Sequence, residues 1–396
     1  MKVLHSYYVW LPLTMSWLYN QVRFLPDQVE SHIFCDRRDN QPTFDLPLIH
    51  SLSDYNRFYH NLNFGLRKTG LGKYSPYLRN LIKKQNFDLI HAHFGNMGWE
   101  MMPLAGLAKT PLITTFYGLD VNYLPVQRPK WYRRYKDLFN YSAVVLCEGP
   151  YMKSAVQQLG CPPEKILVHH LGVDVEKLPY RPRKLTGDTV KILIAGSFRE
   201  KKGIRYALQA LQKIALKYPV SVTVIGDQVG EKRNQEENNL IIELMNSTEL
   251  RNCVRHLGFQ SHSKLIEEAL DHHLFLSPSV TSRDGDTEGG APVSLIEMTA
   301  TGMPVVSTTH CDIPNIIRHN KNGLLAGERD VDGLYTHLEQ LISNPDSWQD
   351  YGKKGRELVE SHFDCQKQGK RLNQIYNAVK TNASLPPDQS ELIQIL

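Results

Sequence analysis

No stretch of this 396-residue chain approaches the ~18 to 20 consecutive apolar residues that a membrane-spanning helix needs. Six cysteines, Cys35, Cys147, Cys161, Cys253, Cys311 and Cys365, include no C-x-x-C pair. That speaks against a zinc site and a disulfide framework and leaves buried thiols. Nor is there a strong charge imbalance: 46 Lys and Arg against 41 Asp and Glu give a net +5, too mild for a dedicated nucleic-acid binder. In the opening MKVLHSYYVWLPLTMSW, apolar residues are interrupted by His5, Ser6 and Tyr7 and no small-residue cleavage site follows. It reads as a first buried strand, not a signal peptide. Repeats and low-complexity segments are lacking too. These absences predict a cytoplasmic globular protein without a nucleic-acid partner.

What the chain does contain is alternation. Short β-rich runs at 2–5, 89–93, 112–116, 143–147 and 166–169, then at 190–195, 220–225, 254–257, 274–277 and 304–307, are separated by helix-period segments. This is the pattern of parallel sheets, and the length suggests two cores. The expected fold is α/β, with two facing Rossmann-like, doubly wound domains and a cleft between them. The boundaries are an N-terminal domain at 1–171, a proline- and charge-rich linker at 172–189, a second domain at 190–363, a helix at 364–381 that packs back on the first domain, and a loose polar tail at 382–396. Ile204 to Tyr218 and Lys367 to Val379 carry apolar residues at helical spacing. Segment 66–84 combines Arg67, Lys68, Lys73, Arg79, Lys83 and Lys84 with Leu66, Leu71, Leu78, Leu81 and Ile82. It is either an amphipathic face for an anionic membrane surface, which would make the protein peripheral on the cytoplasmic side, or a solvated helix packed on a sheet.

Ligands of doubly wound units bind outside the carboxyl ends of the strands, so the loops there carry the candidate chemistry. In DTEGGAPVSLIEMTATGMPVVST, Pro292 suits a first helical position and leaves the amides of Val293 and Ser294 free for an anion. At ~1.5 Å rise per residue, Glu297 lies roughly 7 to 8 Å along the helix from Pro292, the reach of a ribose attached to a diphosphate. Glu288 precedes the helix beside Gly289 and Gly290, whose missing side chains let backbone approach a ligand, and is placed to meet a hexose. The alternative is a solvated loop charge and an amphipathic-helix surface residue. Arg199 and Lys202 follow the strand ILIAG and suit a diphosphate leaving group. Asp284 and Asp286 form a D-x-D with only Arg283 as nearby positive charge, and read as a polar loop in preference to a metal site. His91 and His93 share a strand face without an evident third zinc ligand; His93 could donate to substrate. In TTFYGLDV, Gly118 permits a turn while Tyr117 and Asp120 can present polar groups, although Tyr117 could equally cap the core.

Taken in order, GSFREKKG, VIGD, HLGFQSHSKL, EGGAPVSLIEMTATGMPVVST and NGLLA resemble the donor-domain motifs of retaining glycosyltransferases of the GT-B fold, closely over 190–363 and more loosely in the first half through IHAHFG, TTFYGLDV and HHLGVDV. The resemblance implies that Glu297 holds the ribose, Glu288 contacts the transferred hexose, and Lys202 with Arg199 binds the diphosphate. Backbone at Gly196, Gly289, Gly290, Ala291, Val293 and Ser294 would line the donor, Phe259 would lie by the base, and Tyr117, Gly118, Asp120 and His93 would serve the hexose and acceptor side. It further implies a UDP- or GDP-sugar donor, a glycan or lipid-linked acceptor, retention of anomeric configuration, and neither metal nor cofactor. Four departures stand out: the two glutamates are one residue further apart than usual, Tyr117 replaces the family's histidine, Ser197 stands where the family has an arginine, with Arg199 two positions on, and WLPLTMSWLYNQ replaces its glycine-rich loop. A nucleotide-sugar epimerase and a non-catalytic sugar- or nucleotide-binding subunit are the rival readings.

Overall fold

Valine, isoleucine and leucine runs that can be buried on both faces form two parallel sheets in the computed structural model. It describes residues 1–12, 15–39, 43–54, 61, 65, 76–230 and 232–392. The chain divides into two units, Met1–Gly172 with Cys365–Leu396, and Val173–Asp364.

In the first unit the sheet runs Ile49–Ser51, Glu30–Cys35, Lys2–Ser6, Leu89–His93, Leu112–Phe116, Val144–Cys147, Ile166–Val168. The order reverses between Lys2–Ser6 and Leu89–His93, which makes that gap the switch point of a doubly wound sheet. In the second unit it runs Val254–His256, Val220–Ile225, Val190–Ala195, Leu274–Ser277, Val305–Thr308, Gly323–Ala326. Both units are Rossmann-like. Three of these strands, Glu30–Cys35, Ile49–Ser51 and Gly323–Ala326, were not expected. The first begins ESH, and its polarity is satisfied inside the fold: His32 bonds His50 at 3.0 Å and Glu30 at 2.7 Å. The other two are only three and four residues long.

Helix Pro76–Gln85 turns Leu78, Leu81 and Ile82 into the core and leaves Arg79, Lys83 and Lys84 exposed. Over these residues the apolar face is therefore spent on the protein's own sheet, as the solvated-helix reading requires; positions 66–75, with Arg67, Lys68 and Lys73, lie outside the described residues. Among the described residues no helix is long and apolar enough to cross a membrane.

The segment expected as a free linker is packed into the second unit instead. Val175 and Leu178 are buried, and the buried Arg183 donates to Ala269 O at 2.9 Å and Thr301 Oγ1 at 3.1 Å. The tail is also anchored: Asp388 accepts from the Val168 amide at 3.2 Å and pairs with Lys153, and Gln389 Oε1 accepts from the His170 amide at 3.0 Å.

Helix Cys365–Thr381 lies against the first unit, where Tyr376 and Leu372 join its core. Gly369 makes that contact possible, since a Cβ there would sit 1.9 Å from the carbonyl oxygen of Phe24. A helix-interior glycine replaced by alanine normally gains about 1 kcal/mol, but the clash with rigid backbone reverses the sign here. Gly369→Ala is expected to lose about 1 to 3 kcal/mol in a denaturant titration; a gain would contradict the packing of this helix.

Candidate functional site

The strand Val190–Ala195 ends in a loop at Gly196, and Gly226, just after the adjoining strand Val220–Ile225, comes so close to it that a Cβ on Gly226 would meet Gly196 O at 1.9 Å; the φ of Gly226 is +131°. This approach sets Gly196 beside the next strand's end, and from the same loop a short 3-10 helix, Glu200–Lys202, projects two lysines. Lys202 Nζ lies 2.9 Å from Glu288 Oε2, and Ser279 donates to Glu288 Oε1 at 3.0 Å. Burial alone would raise the Glu288 pKa, since its side chain is 6% exposed, yet the charges of Lys202 and Lys201 outweigh it and bring it down to about 2. Glu288 is thus an anion throughout the neutral range and can only accept hydrogen bonds.

A second carboxylate follows on helix Val293–Ala300. Pro292 proves to be the residue that caps this helix, with ψ 130°, and not its first helical residue as expected. The consequence for the amides is unchanged, because Leu295 and Ile296 donate back to Pro292 O while, among the described residues, no acceptor meets the amides of Val293 and Ser294. Such a helix start favours an anion. Glu297 is 6% exposed and bonded to His262 Nε2 at 2.9 Å. That bond is the main reason the His262 pKa is raised, burial opposing it. Gly289 and Gly290 are buried, Ala291 is partly so, and Phe259 is 57% exposed. Arg199, whose backbone caps the 3-10 helix, is partly buried.

Residues that the sequence did not single out hold this arrangement. His310 accepts the Glu288 amide proton on Nε2 at 3.1 Å and bonds Glu328 through Nδ1 at 2.6 Å, and Glu328 in turn accepts from the Thr281 amide at 2.7 Å. No local pattern in TTHCD announced this. His262 could have been found only by asking what a buried Glu297 bonds before a ligand arrives. The D-x-D is not short of cations: Arg233 donates to Asp284 at 2.8 Å and to Asp286 at 3.2 Å, and Lys201 reaches Asp286 at 3.2 Å. The expectation of Arg283 as sole neighbour is corrected, because Arg233 comes from a segment 51 residues away from Asp284.

In the first unit, the four acceptor-side candidates are buried and bonded into the fold. Asp120 is fully buried and accepts from the amides of Gly95 at 2.7 Å, Tyr117 at 3.0 Å and Gly118 at 3.1 Å, tying the loop to the start of helix Gly95–Ala108. Tyr117 donates to Gln21 Oε1 at 3.0 Å, so it accepts from His93 Nδ1 at 2.7 Å, and His93 Nε2 accepts from His5 Nδ1 at 3.1 Å. Burial, then His5, keeps His93 well below its ordinary pKa and hence neutral. His93 is 0% exposed, and its nitrogens are taken by Tyr117 and His5. The missing third imidazole beside His91 and His93 is His5, in register with His91 on the adjoining strand. All nitrogens of His91 and His93 are already bonded, those of His91 to Tyr376 and Thr115 at 2.6 Å each, so the trio reads as a hydrogen-bond network.

Comparison with known proteins shows the family. The profile of Glycosyltransferase Family 4 matches residues 16–177 and that of Glycosyl transferases group 1 residues 180–358. WcaL of Escherichia coli K12, named as a candidate glycosyltransferase of colanic acid biosynthesis, is 31% identical over 300 residues, 74% of this chain and 71% of WcaL. AmsK of Erwinia amylovora, an amylovoran biosynthesis glycosyltransferase, is 30% identical over 282 residues, 70% of this chain and 67% of AmsK. HepE of Anabaena, solved with UDP-glucose, matches in fold with a TM-score of 0.75 at 16% identity, over 96% of this chain and 100% of HepE.

Because Lys202→Met would leave the buried Glu288 without its nearest cation, the variant is expected to cost about 3 kcal/mol of unfolding free energy, most of it recovered by adding Glu288→Gln. Equal losses in the single and double variants in urea would contradict a buried pair.

Proposed function

This chain belongs to the GT-B glycosyltransferases, and from that premise we propose that it moves a hexose from a UDP- or GDP-sugar to a hydroxyl of a glycan or lipid-linked glycan, with retention and without a metal. The observation that carries this is the Lys202–Glu288 pair beside the open start of helix Val293–Ala300, with Glu297 in the same helix. An arriving diphosphate offers Lys202 and the Val293 and Ser294 amides a doubly anionic partner, with Arg199 adding its fork of donors. Lys202 then exchanges Glu288 for phosphate, and the freed, ionised Glu288 accepts hydrogen bonds from hexose hydroxyls. The ribose hydroxyls donate to Glu297 in place of His262, and Phe259 offers its exposed ring to the base. Cations at the leaving diphosphate supply the stabilisation that a metal provides elsewhere. Asp284 and Asp286, already paired with Arg233 and Lys201, have no part in it. The names of WcaL and AmsK, which refer to colanic acid and amylovoran biosynthesis, support polysaccharide synthesis as the setting.

Calorimetry with UDP and GDP tests the donor site: one of them should bind, and Lys202→Ala or Glu297→Ala should weaken it about tenfold or more. Unchanged affinity in both variants would reject the assignment, and a strict metal requirement for transfer, seen as activity abolished by EDTA, would reject the metal-free reading. The pH dependence has a defined sign. Below its raised pKa, His262 is charged and grips Glu297; above it the neutral ring lets go. Nucleotide affinity should therefore rise as the pH climbs past the ordinary histidine range, and rise less in His262→Gln. Parallel slopes in the two proteins would show that His262 does not compete for Glu297.

A further inference from the structure

The four buried acceptor-side residues leave open what an acceptor would touch. Three aromatic side chains stand over them, each partly exposed: Tyr7, Trp17 and Phe94. Tyr7 and Phe94 follow directly on Lys2–Ser6 and Leu89–His93, the two strands that flank the switch point of this sheet. Their rings stack across that gap, with centroids 5.1 Å apart. Trp17 lies 6.3 Å from Phe94 and 4.5 Å from Tyr117, and Phe94 4.8 Å from Tyr117. Phe94 holds φ at +73°, a backbone setting that a bulky side chain rarely takes and that clusters at functional sites.

A polar group completes the set. Gln21 sits one turn after Trp17 on helix Ser16–Arg23, on the same face. Its Oε1 is taken by the Tyr117 hydroxyl, while its Nε2, in a side chain more than nine-tenths buried, has no partner. The chain from His5 through His93 and Tyr117 orients this amide without satisfying it. A buried donor left over in this way calls for an acceptor atom.

We propose that Tyr7, Trp17 and Phe94, with the Gln21 amide, form a subsite that stacks a pyranose ring of the acceptor glycan and receives one of its hydroxyl oxygens. Aromatic faces with a few fixed polar groups suit a ring with apolar C–H faces and a hydroxyl rim. The ionisable neighbours point to a neutral sugar over a phosphate or a lipid head group: Glu100, bonded to Tyr8, and Asp120 are both acids. The subsite rests on the glycosyltransferase reading for the word acceptor, but it belongs to the first unit alone and is tested without donor.

Saturation-transfer NMR on the full chain, with the methyl pyranosides of glucose, galactose and mannose at millimolar concentration, reads it directly. At least one pyranoside should receive saturation, most strongly on its C–H face, and Trp17→Leu should reduce the transfer about fivefold or more. Gln21→Met, which keeps the shape but not the amide, should also reduce it and serves if Trp17→Leu fails to fold. Lys202→Ala should leave it unchanged. Absence of transfer from all three sugars, transfer indifferent to Trp17→Leu and Gln21→Met, or transfer lost in Lys202→Ala would each overturn the subsite. The affinity of the same proteins for UDP and GDP reports separately on the donor site, so failure of one reading is not mistaken for failure of the other.

Discussion

The second unit depends on keeping a carboxylate charged where water barely reaches it. Glu288 is 6% exposed on its side chain, and desolvation would neutralise it if Lys202 were not 2.9 Å away with Lys201 close behind. Most of the surrounding architecture serves that proximity. Gly226 lets two strand ends meet, the 3-10 turn aims Lys202, and His310, braced by Glu328, fixes the Glu288 backbone. On the proposed reading this ion pair is exchangeable, Lys202 turning to a diphosphate and Glu288 to sugar hydroxyls. The same economy governs Glu297, whose place as an acceptor is kept by His262.

The first unit solves a different problem with neutral groups. His5, His91 and His93 are buried and held below the ordinary imidazole pKa chiefly by that burial, and a chain of hydrogen bonds passes from His5 to Gln21 with each tautomer fixed by the next partner. Low dielectric strengthens such a chain when it is complete and penalises any atom left out. The residues that bring loops together, Asp120 with its three amide donors and Tyr117 under Trp17, are therefore the hidden ones. Aromatic rings above them carry the exposed surface.

Much of this was written locally in the sequence. Apolar runs such as LITTF and VTVI mark strands without help from distant residues, and motif order singled out Glu297 and the Lys202 and Glu288 that the fold brings to 2.9 Å. What escaped were features made by tertiary contact. Glu30–Cys35 has polar residues because His32 finds partners on two sides, and segment 173–189 looks like a linker until Arg183 is seen buried against Ala269 and Thr301. His310, Arg233 and His262 were missed for the same reason, as each acts on a carboxylate far away in the chain. Loop residues Tyr117 and Asp120 looked presentable because burial is not encoded in a short motif.

The central claim is that the Lys202, Glu288 and Glu297 cluster is a nucleotide-sugar site. An experimental structure of the full chain with the nucleoside diphosphate it binds tests this most directly. The account expects diphosphate oxygens on Lys202 Nζ and the Val293 and Ser294 amides, and both ribose hydroxyls on Glu297 with His262 displaced. A nucleotide bound elsewhere, with the Lys202–Glu288 and His262–Glu297 contacts intact, would contradict it.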